Sequence, residues 1–343
     1  MLIAIHHQKG SFSDRWIEYL ENQNVSYKIV NCFDSDILNQ LSDSDGLMWH
    51  WNHATPEAFL FARQLVFSVE AMGKRVYPNA NTCWHYDDKV GQKYLLEGIG
   101  APLVASWVFY TKKQALEWIE ETGFPKVFKL RGGYGSNNVK LVNSKDEARS
   151  LATRAFSGGF SQMDKTALLK NRIWKFKQKP DKKTFLGILK GVGRQFSDSR
   201  MEKVFGKEKS YLYFQDFLPG NDFDTRLIII GNRCFGIRRY NRKGDFRASG
   251  SGLIEYQPEL FDMRAVAAAF EVVRKLKTQS LAFDFVFNQA GSPEIIEISY
   301  AFNVEVYDPC PGYWNEELKW VEEKVNLQYY IVQDFIEECR DAR

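Results

Sequence analysis

Two carboxylates in the C-terminal half of the chain are spaced to face each other. The stretch Leu281 to Ser299, LAFDFVFNQAGSPEIIEIS, reads as two strands turning at Gln289-Ala290-Gly291-Ser292. With Ala290 and Gly291 as a two-residue loop, Asp284 lies opposite Glu297. Side chains alternate along a strand, so both point to one face. Like charges directly opposite each other are destabilising. Such a pair in an otherwise apolar hairpin therefore suggests a third partner, and a divalent cation with a preference for hard oxygen ligands, Mg²⁺ first, suits it. A solvated strand edge with an accidental pairing is the alternative that the hairpin alone leaves open.

Two further stretches carry groups suited to anions. Lys126 to Val142, KVFKLRGGYGSNNVKLV, sets two alternating strands around Arg131-Gly132-Gly133-Tyr134-Gly135-Ser136. Glycines let backbone N–H groups approach phosphate oxygens closely. No helix follows directly, so this is a flap between strands and not a Walker loop or a dinucleotide fingerprint. Lys129 ends the first strand, where its ammonium could meet a phosphate. A plain glycine-rich hairpin turn is the other reading. Between Ser210 and Tyr240, Arg226, Arg238 and Arg239 decorate predicted strands. Arginines near two carboxylates and a cation suit a transferring phosphate, and they could equally pair with Asp222 or Asp224.

All five histidines, His6, His7, His50, His53 and His85, lie in the first quarter of the chain. Several stand at or past the ends of predicted strands, the edge where open α/β sheets bind ligands. A polar loop role explains them more simply than catalysis, and no carboxylate or cysteine stands at a spacing suited to zinc. The five cysteines, Cys32, Cys83, Cys234, Cys310 and Cys339, include no CxxC pair. That argues against a disulfide framework and fits a reducing cytoplasm. Neither a signal peptide nor an apolar run of membrane-spanning length is read.

The elements that must position these groups come in two styles. Up to Tyr77, short strands (Leu2–His6, Val25–Val30, Gly46–Trp51, Arg75–Tyr77) alternate with helices (Ser11–Asn24, and Thr55-Pro56 to Gly73), as in a small parallel α/β domain. Asp87-Asp88-Lys89 opens a helix through Leu96, the acids suiting its first turn. Leu103 to Tyr110 reads as a strand. Thr111 with Gln114, and Ser144 with Glu147, are capping boxes for the two helices that follow. Strands at Tyr211–Phe217, Thr225–Ile230 and Arg233–Tyr240 come next, the last two joined at Gly231-Asn232. Pro258–Lys277 and Asn315–Arg340 read as helices, with a turn-rich connector at Tyr307–Trp314. Lys170 to Lys209 holds thirteen Lys and Arg against four Asp and Glu, a balance of +9 in a chain of +3. Such a patch attracts polyanions: phosphate groups of substrate or nucleotide, a lipid-linked precursor, an anionic membrane surface or nucleic acid. A solvated insertion is the plainer reading, and no nucleic-acid motif accompanies it.

Taken in order, these motifs resemble the ATP-grasp superfamily of carboxylate–amine ligases. Asp88-Lys89 looks like the family's Asp-Lys opening. Lys126-Val127-Phe128-Lys129 with the glycine loop resembles its phosphate-binding lysine and flap. Phe214-Gln215-Asp216-Phe217-Leu218-Pro219-Gly220 resembles its adenine hinge, and Asp224-Thr225-Arg226 its Asp-x-Arg. Asp284 and Glu297 match its paired magnesium ligands. The likeness covers Asp87 to Ser299. Where the family has Glu-x-Asn, this chain has Glu297-Ile298-Ser299, which puts the second metal position in doubt, although Ser299 could ligate Mg²⁺ directly or through water and Asn303 lies close in sequence.

The resemblance implies an α/β plus α+β chain: a small parallel α/β pre-ATP-grasp domain over residues 1–84, then an ATP-grasp region over 85–343. The latter would divide into a lid at about 103–213, containing the insertion at about 157–209, and a catalytic subdomain at about 214–343. ATP would be held by Lys89, Lys129, Gly132, Gly133, Gly135, Ser136, Gln215, Asp216, Phe217, Leu218 and Asp224. One or two Mg²⁺, replaceable by Mn²⁺, would sit on Asp284, Glu297 and Ser299. A substrate carboxylate would take the γ-phosphoryl group and an amine would then displace phosphate, with Arg226, and behind it Arg239 and Arg247, stabilising the charge. Positioning and charge neutralisation dominate such chemistry. The implied partners are small carboxylates and amines, sugar- or nucleotide-linked ones among them. Trp49, Trp51 and Trp84 beside the histidines suggest a pocket with aromatic walls, and an amino acid joined to a sugar acid in surface polysaccharide assembly is the most specific expectation. No nucleic acid and no membrane span are expected, a dimer is compatible, and the location implied is cytoplasmic. An impaired ATP-binding regulator or scaffold, and a phosphotransferase acting on a hydroxyl, are the alternatives.

Overall fold

The computed structural model describes the chain except residues 134–137, 163, 165–168, 170–171, 174–175, 177–179, 194–198, 243, 249–251 and 342–343, and of residues 183, 190 and 193 it describes the backbone alone. The chain divides into two compact units. One comprises Met1–Tyr86, Gly91–Leu103 and Leu218–Arg343, and the other Asp87–Val90 and Val104–Phe217.

The first unit begins with four parallel strands, β1 (Leu2–His6), β2 (Ser26–Val30), β3 (Gly46–Trp49) and β4 (Arg75–Tyr77), in the order β2-β1-β3-β4. Apolar runs such as Ile3-Ala4-Ile5 and Leu47-Met48-Trp49 are buried, as befits strands covered on both faces. The expected long helix from Thr55 is broken. A 3₁₀ turn covers Pro56–Leu60, and the α-helix starts only at Ala62 and runs to Ala71, because Phe61 at φ −141° is not helical.

The second unit is an antiparallel sheet in the order β5-β8-β6-β7, from β5 (Ser106–Phe109), β6 (Lys126–Lys129), β7 (Lys140–Val142) and β8 (Leu212–Asp216). The helices Lys112–Glu121 and Lys145–Ala155 lay Ala115, Ile119, Ala148 and Ala152 against Phe128 and Phe214. Thr111 and Ser144 accept the backbone N–H of Gln114 and Glu147, as the capping reading has it. The helix Lys89–Gly98 begins after Asp87 and Asp88, so neither acid is in its first turn. Asp87 adopts a left-handed φ of +54°.

The C-terminal part of the first unit is a seven-stranded antiparallel sheet. Its strands are β9 (Phe223–Ile230), β10 (Arg233–Tyr240), β11 (Ile254–Glu255), β12 (Ser280–Phe287), β13 (Pro293–Ser299), β14 (Gly312–Asn315) and β15 (Trp320–Glu322), in the order β13-β12-β9-β10-β14-β15 with β11 on β10. One face packs with the parallel sheet: Ile228, Ile230 and Phe235 share a core with Ile3, Ile5 and Phe335. The helix Met263–Leu276 covers the other with Ala265, Val266, Ala269 and Phe270. It starts five residues later than expected, because Asp262 caps it, accepting from the N–H of Arg264, after a 3₁₀ turn at Pro258–Leu260. The expected helix from Asn315 is also corrected. Residues up to Glu322 form the β14–β15 hairpin, and the helix is Leu327–Asp341. Asn315 Oδ1 accepts the N–H of both Glu317 and Lys319, a turn that ends any helix there.

Candidate active site

In the first unit the register of the antiparallel sheet builds a row of charge. On β9, Asp224 and Arg226 are two residues apart and share a face. Across the sheet Asp224 pairs with Arg239, Arg226 with Asp284, and Asp284 with Glu297. The two carboxylates face each other as the sequence suggests, by another route. The loop is one residue longer than expected, with Phe287 opposite Pro293, and a bulge at Ile296 restores the register at Asp284. Asn221 fixes the far end of β12, donating to the carbonyl of Phe287 and accepting its N–H.

Four members of the row form a buried clamp. Arg226 grips Asp284 through Nε to Oδ1 at 2.5 Å and Nη2 to Oδ2 at 2.8 Å. Arg239 grips Asp224 at 2.7 and 2.6 Å and reaches Asp284 Oδ1 at 2.9 Å. Burial opposes ionisation of Asp284, but the two guanidiniums outweigh it and hold its carboxyl well below the usual range. Burial, together with the neighbouring Asp284 charge, pushes Asp224 the other way. Burial disfavours the charged form of Arg226, yet the carboxylates opposite it hold the guanidinium firmly charged. Tyr307 is buried within electrostatic reach of Arg226, Arg239 and Asp284, and its hydroxyl has no hydrogen-bond partner among the described residues. Sequence reasoning missed it, having seen only a turn-rich connector.

Arg247 is not in this row. Its guanidinium pairs with Asp245 at 2.8 Å, and the burial of Asp245 is outweighed by that contact, which lowers its carboxyl. In the stretch after it, which the sequence offers as a loop able to close on an acyl group (Arg247 to Gly252, RASGSG), residues 249–251 lie outside the described residues. Arg238 points elsewhere, over the ring of Phe223 at 4.0 Å.

The second unit gathers the groups expected to hold phosphates and base. Lys89 Nζ donates to the carbonyl of Gly133 at 3.0 Å, and Asp87 Oδ1 accepts the N–H of Gly133 at 2.7 Å. Asp88 holds Arg131 through two contacts at 2.9 and 2.5 Å. Asp87 and Arg131 are thus the residues that seat the start of the glycine loop, and no local pattern in the sequence pointed to the first. Gly132 and Gly133 belong to this arrangement, whereas Gly135 and Ser136 lie outside the described residues. Lys129 Nζ is buried and donates to Gln215 Oε1 at 2.5 Å, and Gln215 in turn reaches Ser106. Asp216 is held by Lys126, whose ammonium also lies 4.6 Å from the centre of the Trp107 ring. Phe217 closes this unit and Leu218 opens the next stretch of the other.

No protein-family model matches the sequence, and no curated protein matches it. Solved structures match along its whole length. A D-cycloserine synthetase superposes with a TM-score of 0.58 at 14% identity, all of both chains being covered. The D-alanine–D-alanine ligase of Bacillus anthracis, complexed with ATP, gives 0.57 at 13% identity over 100% of this chain and 99% of that one. A RimK domain ATP-grasp protein of Sphaerobacter thermophilus gives 0.59 at 15% identity over 98% and 99%. The chain has the ATP-grasp fold. At these identities the likeness is one of fold, so chemistry must be argued from the residues.

Within this fold the fit to magnesium can be tested on the donors. Asp284 and Glu297 offer hard oxygens from one face. A carboxylate accepts at about four positions, and three at Asp284 are taken by guanidinium N–H groups. One position on Asp284 and the carboxylate of Glu297 suit a single ion. The Ser299 hydroxyl donates to the carbonyl of Ala301 and accepts its N–H, which leaves one of its two lone pairs for a cation. Among the described residues no group of three or more His, Cys, Asp or Glu could hold a metal. That leaves the ion's other positions to phosphate oxygens and water, which is how Mg²⁺ is commonly held.

The N-terminal residues are corrected. Trp49 and Trp51 are 1% exposed and belong to the core with Phe61 and Tyr300, so they wall no pocket. His50 is buried, stacked on Phe12 at 3.8 Å, with Nδ1 2.6 Å from Ser11 Oγ, and burial lowers its pKa to about 3. His6 Nδ1 accepts the N–H of Cys32.

Proposed function

We propose that the chain is an ADP-forming ligase that joins a carboxylate to an amine through an acyl phosphate. The observation that carries this reading is the row Arg239–Asp224, Arg226–Asp284–Glu297 on one face of an ATP-grasp sheet. Lys89 and Lys129 would hold phosphate oxygens, and the hinge from Gln215 to Leu218 would take the base. Asp284 and Glu297 would hold Mg²⁺, which supplies charge neutralisation of the triphosphate when bound. The carboxylate oxygen of the substrate attacks the γ-phosphorus in line, and the bond to the β-phosphate oxygen breaks to give ADP. The amine then attacks the acyl carbon and phosphate leaves. Arg226, fixed by Asp284, would stabilise charge on the transferring phosphoryl group, and Arg239 would hold Asp284 and Asp224 in place. Arg247, paired with Asp245, is the weaker candidate.

For substrates we propose a sugar acid and an amino acid, the basic segment 170–209 being suited to a phosphate- or nucleotide-linked acceptor. ATP chemistry and five buried cysteines outside any disulfide fit a cytoplasmic site of action. The second reading, an ATP binder without turnover, draws on the commitment of Ser299 to its own turn. Incubation with MgATP and pools of sugar acids and amino acids separates them. ADP and phosphate released together, only with substrates present, support the ligase. Thermal protection by ATP without release supports the binder, and ADP without free phosphate indicates transfer to a hydroxyl.

A further inference from the structure

The first residues of the glycine loop are held by the strap Asp87-Asp88-Lys89. Asp87 Oδ1 accepts the N–H of Gly133 at 2.7 Å, and Lys89 Nζ donates to the carbonyl of the same glycine at 3.0 Å. Asp88 takes the Arg131 guanidinium, and the N–H of Lys89 reaches the Arg131 carbonyl at 2.9 Å. The N–H of Arg131 is spent on the Tyr211 hydroxyl at 2.6 Å. These contacts draw Asp87–Val90 into the compact unit that contains the loop. Two backbone positions bend to make them. Gly133 has φ +120°, and Asp87 has φ +54°, which Asp and Asn adopt more readily than other side chains. Gly132 must also stay small, since a Cβ there would come 3.1 Å from Asp87 Oδ2.

Glycine loops commonly bind phosphate through backbone N–H groups turned toward the anion. Here the N–H groups of Arg131 and Gly133 face a hydroxyl and a carboxylate instead, so both are already spent. What the arrangement fixes is the ammonium of Lys89. A lysine side chain gives up much rotamer freedom when it is ordered, and an acceptor already in place reduces that loss on binding. The Gly133 carbonyl is that acceptor, and Asp87 anchors it by holding the N–H of the same residue. We propose that residues 131–133 are a holder for Lys89 and not an anion nest, with Asp87 as the positioning residue. Asp87 acts on nucleotide phosphates through Gly133 and Lys89, without touching them. The inference rests on the phosphate role proposed for Lys89.

Calorimetric titration of the full-length chain with MgATP tests it, because the two roles differ in sign. Asp87→Gly keeps the left-handed backbone, removes the acceptor and frees the Gly133 N–H. A nest would then bind MgATP more tightly. The holder should bind it about five- to tenfold more weakly, the effect of one hydrogen bond. Asp87→Asn keeps an acceptor oxygen and should bind at least as tightly as wild type. In a Lys89→Met background, Asp87→Gly should change the affinity by less than about twofold, since the lysine it acts through is gone. A merely structural role would give the full loss there as well. Equal or tighter binding by Asp87→Gly, a matching loss in Asp87→Asn, or a full loss in the Lys89→Met background overturns this inference alone. A wild type that takes up no MgATP overturns it together with the proposed function.

Discussion

Replacing Asp284 by asparagine tests the clamp from which the proposed chemistry is argued. The wild-type clamp of Arg226, Arg239, Asp224 and Asp284 is neutral, and its side chains are only 9–23% exposed. The Asp284→Asn substitution would leave two guanidiniums with one carboxylate and remove the charge behind three contacts of 2.5–2.9 Å. The new amide could also turn its NH₂ group toward a donor. Removing one partner of a buried ion pair costs about 3–5 kcal/mol, because the other charge stays buried. At roughly 2–4 °C per kcal/mol for a unit of this size, the melting temperature should fall by roughly 6–20 °C in differential scanning calorimetry. ADP release should be lost at temperatures where the variant is still folded. A melting temperature within about 1 °C of wild type would refute the argument that this pairing is buried and matters to stability. Normal ADP release would refute the catalytic placement.

Glu297→Gln keeps the four-membered clamp but removes a carboxylate from the proposed ion site, so MgATP affinity by calorimetric titration should fall at least about tenfold. Lys129→Met should raise the KM for ATP by roughly ten- to a hundredfold, the worth of a charged hydrogen bond to phosphate. For pH, burial holds the folded pKa of His50 at about 3, below its ordinary value of about 6.5. The unfolded chain therefore binds the extra proton, and stability falls by about 1.4 kcal/mol per pH unit as pH drops from 6.5 toward 3. His50→Phe should flatten that part of a stability profile, and an unchanged profile would contradict the assignment. Ionised Asp284, with its pKa depressed, adds stability that is present above about pH 3.9 and is lost as pH falls below it.

Local signals in this sequence carried far. The caps at Thr111 and Ser144 and the two-residue turn at Gly231-Asn232 are short-range chemistry, and the structure has them where the spacing puts them. The facing of Asp284 and Glu297 came out although the loop length did not, because the bulge at Ile296 offsets the longer turn. The clamp was not legible. It depends on β12 lying beside β9, strands some fifty residues apart in sequence, and no local pattern encodes that neighbour. The helix read from Asn315 failed for a related reason. Trp320 and Val321 have spacing that suits a helix face, but β14 lies beside β10 and β15 extends the sheet from there, so tertiary pairing overrides local preference. Trp49 and Trp51 looked like pocket walls because an aromatic next to a histidine is compatible with both a site and a core. Burial settled it.

The most direct measurement on the proposed site is a crystal soaked with MnATP and measured for anomalous scattering. The account predicts a manganese peak bonded to a carboxylate oxygen of Glu297 and to the remaining acceptor position of Asp284, with nucleotide phosphate oxygens completing its shell. Ordered nucleotide with no peak at those two carboxylates would contradict it.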